Sequence, residues 1–237
     1  DMSTTGNATD FGDMTQNIQS MAAFSSTTKG FTSGGYLSNL LNIIESVSFG
    51  SGSNTTDFGD LTQARNYPAG ASNSTRGLTF GGDSFTPRNT IDYVTMSSSG
   101  NASDFGDMTR SCYRLGACAN ATRAVSFGGT QSSNNVIDYV TIASTGNATD
   151  FGDLASSNNG MGGCSSGNTA FSMGGDSSGQ YYYNYFNITT TGNATSENLA
   201  SDFSITHKNC AAAASATRAL VAGNDGANSN AISYVTT

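Results

Sequence analysis

An all-β ring of five four-stranded antiparallel sheets, a five-bladed β-propeller, is the fold this sequence predicts, and three observations predict it. One phrase recurs along the 237 residues: TGNATDFGDM from Thr5, SNTTDFGDL from Ser53, SGNASDFGDM from Ser99 and TGNATDFGDL from Thr145, with a decayed copy, TGNATSENL, from Thr191. Its Asp-Phe-Gly-Asp copies start at Asp10, Asp57, Asp104 and Asp150, a period of 46 or 47 residues, which is the length of one supersecondary unit that buries its apolar face only against its neighbours. The two end fragments add up to one ordinary unit, the first supplying a fourth strand and the last supplying three, which is how a circular array closes.

The elements follow in order. Residues 1–14 read as a polar turn and the closing strand of the last blade, around Phe11 to Met14. Blades then span about 15–61, 62–108, 109–154, 155–199 and 200–237, and together they make one domain, 1–237. In the third blade the grammar is clearest: SCYRLGACAN, TRAVSFGG with its diglycine stop, VIDYVTI, and DFGDL. The first strand of each unit is small, as in Ala69-Gly70-Ala71 and Ala211 to Ala214, which suits an inner strand crowded around a narrow axis. Phe and Leu or Met stand three apart in the fourth strand with Gly between, so strict alternation would put them on opposite faces; the Gly marks a bulge that turns both inward. The fourth unit drifts from the pattern, with the aromatic run YYYNYFNI as its third strand.

Composition narrows the function classes. A net charge of −8 with only nine Lys and Arg argues against a nucleic-acid or anionic-membrane surface. No apolar run approaches the ~18 residues of a membrane span, and no basic-then-apolar signal opens the chain. Four cysteines, Cys112, Cys118, Cys164 and Cys210, match no zinc spacing and read as free core residues. A single histidine, His207, leaves no triad or multi-His metal site to assemble, so no cofactor and no enzymatic activity are expected.

TRAVSFGG, a polar loop, VIDYVTI, a turn and an aromatic three before Leu together resemble the kelch repeat, with Phe where kelch blades carry Trp. The wording IDYVTIASTGNATDFGDLT with ATRAVSFGG is similar to kelch-like arrays in virion and tail-fibre-like proteins of marine bacteriophages, those of cyanobacteria especially. The resemblance covers essentially the whole chain. It implies a protein of the virion surface or extracellular space, structural or receptor-binding, without catalytic residues to carry over. Its partners would be a host-surface polysaccharide or receptor and other virion proteins, and a homo-oligomer is compatible with it.

Several residues bear on such a role. A basic residue stands five positions before the diglycine in four units, Lys29, Arg76, Arg123 and Arg218, with Thr169 in the fourth. These side chains either grip acidic or hydroxyl-rich sugars near one mouth of the ring or tie neighbouring sheets through ion pairs. Tyr181, Tyr182, Tyr183, Tyr185 and Phe186 break the repeat, and an exposed Tyr181 or Tyr183 would serve as a sugar-stacking platform. The paired Asp residues, such as Asp57 and Asp60, either cap strand ends or ligate calcium. Eight Asn-x-Ser/Thr triplets, at Asn7, Asn54, Asn73, Asn101, Asn120, Asn147, Asn187 and Asn193, are glycan acceptors in a secreted lectin and plain turn residues in a virion protein.

Overall fold

Four strands per unit arise because each period carries four short β-prone runs separated by Gly, Asn and Ser turns. A computed structural model describes residues 10–50, 52–83, 85–130, 134–175, 182–198, 207–223 and 232–237. Blade 1 is built of β1 (Ala22–Ser25), β2 (Lys29–Ser33), β3 (Ile43–Ser48) and β4 (Thr56–Asp60). Blade 2 has β5 (Ala69–Ser72), β6 (Arg76–Phe80), β7 (Thr90–Thr95) and β8 (Ser103–Asp107). Blade 3 has β9 (Gly116–Ala119), β10 (Arg123–Phe127), β11 (Val136–Thr141) and β12 (Thr149–Asp153). Blade 4 has β13 (Gly162–Ser166), β14 (Thr169–Met173), β15 (Tyr182–Asn187) and β16 (Thr195–Asn198). Blade 5 contributes β17 (Ala211–Ala214), β18 (Arg218–Ala222) and β19 (Ile232–Thr236). Every sheet runs in chain order with antiparallel neighbours, and the five stand in a ring, a five-bladed β-propeller.

Apolar clusters lie between blades, where each unit buries the face it cannot cover alone. Leu78, Phe80, Ile91 and Phe105 of blade 2 meet Ala117, Ala124, Val140 and Ile142 of blade 3. Inner strands approach so closely that a Cβ on Gly70 would fall 2.4 Å from the Ala23 carbonyl oxygen and one on Gly163 2.5 Å from that of Ala117, which is why those strands are small. The expected kink is present: the register slips between Ile44 and Glu45, Ile91 and Asp92, and Ile137 and Asp138, opposite the glycine of the fourth strand. Phe58 and Leu61, Phe105 and Met108, and Phe151 and Leu154 are all buried as a result.

Neighbouring blades are stapled by a repeated backbone joint. Gly100, Gly146 and Gly192 donate their N–H to Phe58, Phe105 and Phe151 carbonyls at 2.7–2.8 Å. The adjoining Asn101, Asn147 and Asn193 accept the N–H of Asp60, Asp107 and Asp153 on Oδ1 at 3.0–3.1 Å. This joint explains why the Gly-Asn turn and the Asp-Phe-Gly-Asp strand are copied together.

At one place in each third strand a polar side chain is bonded by the connector that enters the same blade, joined in blade 1 by Thr55 of the turn before β4. Thr15 and Thr55 hydroxyls bond Glu45. Thr62 and Arg65 bond Asp92, with Arg65 Nη2 to Asp92 Oδ2 at 2.9 Å and both side chains fully buried. Thr109 donates to Asp138 at 2.6 Å, Ala155 N–H to Asn184 at 3.2 Å, and His207 Nε2 lies 2.9 Å from Ser233 Oγ. Where blade 2 has Arg65, blades 1, 3, 4 and 5 have Ile18, Cys112, Asn158 and His207.

Asp138 therefore lacks the arginine that Asp92 has, and its Oδ2 is buried without a partner. Burial pushes its carboxyl pKa up, against smaller opposing effects of Thr109 and Arg110, while Asp150 adds to the rise. A folded-state pKa above the unfolded one means stability is lost as pH rises through that interval, because the unfolded chain gives up its proton first. Asp138→Asn, which copies Asn184, is expected to melt higher than the parent at pH 7, with the difference vanishing toward pH 3.8, the ordinary value. Thermal melts at stepped pH check this.

Two features depart from expectation. Residues 10–14 form no strand, and β19 pairs only with β18 among the described residues. The segment still holds the fourth-strand place against blade 1, since Asp13 N–H bonds Asn54 Oδ1 and Thr55 N–H bonds the Asp13 carbonyl, both at 2.9 Å. The inter-blade joint thus positions it without the ladder. As a consequence the junction of blades 5 and 1 is looser than the other four. Phe49 is 51% exposed where its counterpart Met96 is 3%, and Tyr234 is 55% exposed. An apolar cleft of about 400 Å³ opens there beside Phe24, Phe31, Val47 and Phe49.

Candidate functional site: a variable face and its axial mouth

Chain direction divides the ring into two faces. Turns from first to second and from third to fourth strand lie on one; loops from second to third strand and the inter-blade connectors lie on the other. The first face repeats its wording, SNSTR, ANATR and TGNAT, whereas the second reads differently in every blade, YLSNLLN, DSFTPRN and TQSSNN being the first three second-to-third loops.

On the repeated face the turns are built by side chains bonding their own backbone. Asn73 Oδ1 accepts the N–H groups of Thr75 and Arg76, and Asn120 those of Thr122 and Arg123, at 2.8–2.9 Å. Ser26 and Ser215 do the same for Lys29 and Arg218. The basic ring belongs to this face. Arg76 lies over the Tyr93 ring at 4.8 Å and donates to the Ile142 carbonyl of blade 3 at 2.8 Å. Arg123 lies over Tyr139 at 4.6 Å and donates to Ile188 and Thr189 carbonyls of blade 4 at 3.2 and 3.0 Å. Arg218 covers Tyr234 at 4.9 Å, and Lys29 is half-buried. The tie between sheets is thus made to backbone carbonyls, not through ion pairs with Asp, because the third-to-fourth turn of the next blade presents carbonyls at that point. Arg123→Ala is expected to cost about 1–2 kcal/mol in denaturant unfolding through lost hydrogen bonds and ring contact.

Blade 4 replaces this arrangement. Tyr183 and Tyr185 hydroxyls donate to Glu197 at 3.0 and 3.2 Å, and both rings pack on the cluster of Phe171, Met173 and Val221. Burial, with the Glu197 carboxylate beside it, pushes the Tyr183 phenol up to about 12. Tyr183 is therefore a half-buried strand residue, while Tyr181 lies outside the described residues. The first Asp of the repeat caps its own kink: Asp10, Asp104 and Asp150 Oδ1 accept the N–H of Gly12, Gly106 and Gly152 at 3.1 Å. Among the described residues no three His, Cys, Asp or Glu side chains converge as a metal would require. All four cysteines are free thiols, and burial pushes Cys112 to about 11 and Cys164 to about 12.

The second face converges on the axis. One connector residue per blade adopts the left-handed conformation: Ser20 (φ 60°), Tyr67 (51°), Arg114 (55°), Gly160 (66°) and Asn209 (48°). Three backbone bonds chain them, Tyr67 N–H to Ser20, Arg114 N–H to Tyr67 and Gly160 N–H to Arg114 carbonyls, at 2.7–3.0 Å. These five and the residues after them enclose an axial mouth of about 250 Å³. Non-glycine residues rarely hold this conformation, and four different ones doing so at one place mark a site where side chains are presented at some conformational cost. Arg114 stacks its guanidinium 4.6 Å over the Tyr67 ring, and its Nε is buried with no hydrogen-bond partner. Farther out, Phe85 stands 93% exposed at φ 71°, on a loop closed by a bridge between Asp83 and Pro87.

Sequence reasoning missed this site because its residues differ in every blade; aligning the connectors by repeat position would have brought Ser20, Tyr67, Arg114, Gly160 and Asn209 into one column. No protein-family profile matches the chain, and no curated protein matches it.

Proposed function

We propose that this chain is a non-enzymatic recognition module, carried on a virion as part of a tail fibre or comparable surface adhesin, whose variable face binds a host surface glycan or envelope component. One observation carries the reading. The inter-blade joint recurs through Asn54, Asn101, Asn147 and Asn193, whereas the connectors and second-to-third loops of the opposite face, around an axial mouth, differ from blade to blade. A scaffold with one constant face and one varied, aromatic-bearing face suits recognition, since loops on a rigid frame are where binding residues concentrate. The virion setting rests on the resemblance of the repeat wording. The Asn residues used as turn acceptors favour the turn reading over a glycosylated lectin.

The test is binding of labelled protein to marine bacterial cells and their extracted surface polysaccharides, with three forms compared: the parent, Phe85→Ser on the variable face, and Arg76→Ala on the repeated face. Saturable binding weakened by Phe85→Ser and kept by Arg76→Ala is expected. Binding lost only with a folded Arg76→Ala would move the site to the other face. No binding across the panel would favour a purely structural joining module, which the exposed apolar residues Phe49, Ile232 and Tyr234 at the loose junction also suit.

A further inference from the structure

We propose that the axial mouth takes a single carboxylated sugar of the uronic-acid type, with Arg114 receiving the carboxylate. This rests on the recognition reading and names the ligand class of that face.

Among the described residues Arg114 is the one charged side chain lining the mouth. Elsewhere the buried guanidinium of Arg65 meets Asp92 directly, and Arg76 and Arg123 spend their donors on carbonyls. Arg114, like Arg65 and Arg110, has a buried, unpartnered Nε, but it alone of the three lines the mouth among the described residues, with the Tyr67 ring against it. A guanidinium held against an aromatic ring loses freedom, and its donor fork matches a planar carboxylate through two parallel hydrogen bonds. Among the described residues no carboxylate lines the mouth to neutralise it, in a chain whose net charge is −8. A buried donor without an acceptor is the feature that an incoming anion satisfies.

Size and the remaining lining decide what carries the carboxylate. A volume of about 250 Å³ is below the ~300–1,000 Å³ of sites for drug-sized ligands and suits one sugar ring. Ser20 and Asn209 bring a hydroxyl and an amide for ring hydroxyls, and Leu115 and Met161 bring apolar surface for the C–H face. A bare inorganic anion would use the arginine and leave the rest of the lining idle.

The test is calorimetric titration of the parent protein, Arg114→Gln and the opposite-face control Lys29→Gln with galacturonate, galactose and inorganic phosphate. Galacturonate is expected to bind the parent at least tenfold more tightly than galactose, to lose about tenfold or more in Arg114→Gln, and to be unaffected by Lys29→Gln. Equal binding of galactose, or galacturonate binding unchanged in Arg114→Gln, overturns the proposal. Phosphate binding as tightly as galacturonate overturns its sugar part. Should Arg114→Gln fail to fold, galacturonate-induced amide shifts in the parent decide: shifts at Ser20, Tyr67 and Asn209 support the site, and shifts elsewhere or none overturn it. Polysaccharide binding that persists without any uronate response sinks this inference alone, whereas loss of all glycan binding sinks the recognition reading as well.

Discussion

Arg65→Ala is expected to lower the unfolding free energy by about 3–5 kcal/mol, because it leaves the Asp92 carboxyl in the interior with its partner gone. Arg65 and Asp92 are both fully buried, 2.9 Å apart, and Arg65 also donates to the Thr79 carbonyl at 3.3 Å. Desolvation dominates at this site and pulls the Arg65 pKa down, with the attraction of Asp92 opposing it. The pair therefore contributes less net stability than its short distance suggests. The double variant Arg65→Asn with Asp92→Asn should recover most of the loss, since blade 4 already carries Asn158 and Asn184 at these two places. Urea unfolding of Arg65→Ala and of the double variant separates the outcomes. A double variant as unstable as Arg65→Ala would mean that the guanidinium contributes through packing volume and not through charge.

Gly106→Ala is expected to cost about 3 kcal/mol or more and to loosen the junction of blades 2 and 3 first. Gly106 has φ 141°, and an added Cβ would sit 2.5 Å from the carbonyl carbon and oxygen of Gly146. The same carbonyl group belongs to the turn that bonds β8 through Gly146 N–H to Phe105 and Ala148 N–H to Asp107, both 2.7 Å. Relief of the clash would break that joint, so steric overlap adds to backbone strain. Gly167→Ala separates the two contributions: φ is 58° but nothing lies within 4 Å of its Cβ, so the loss there should stay near the ~1–2 kcal/mol of the left-handed conformation alone. Equal losses in both variants, measured by urea unfolding, would show that the inter-blade contact yields without resistance.

The ring was legible in the sequence because repetition turns weak local signals into a strong one. Four copies of Asp-Phe-Gly-Asp set the period, the small first strands identified the axis, and the Phe-to-Leu spacing required the kink now seen opposite Ile44, Ile91 and Ile137. Long-range partners were not legible. Arg123 announces a charge, but nothing local says that its acceptors are the Ile188 and Thr189 carbonyls of the next blade. The closing segment was read as the fourth strand of the last blade; it is joined to blade 1 through Asn54 and makes no ladder to β19 among the described residues, which depends on how the last junction packs. The axial mouth was hidden for the opposite reason. Left-handed backbone at Tyr67 and Arg114 is imposed by the ring around them, not by their own preferences, and their neighbours in the other blades share no residue type with them.

A polypeptide made of near-copies runs the risk of joining the wrong halves while it folds. Most of the joints here would not object, since Asn101, Asn147 and Asn193 are interchangeable. The connector positions are not: Arg65 bonds Asp92 and His207 lies against Ser233, while the same two places hold Ile18 and Glu45, Cys112 and Asp138, and Asn158 and Asn184 in the other blades. Seating the second connector on the fourth blade would strand a guanidinium against an amide, and seating the fourth on the second would strand a carboxylate. Each mismatch carries the penalty of an uncompensated buried charge. The unlike interior pairs act as addresses, giving five look-alike blades a way to be told apart by their own chain.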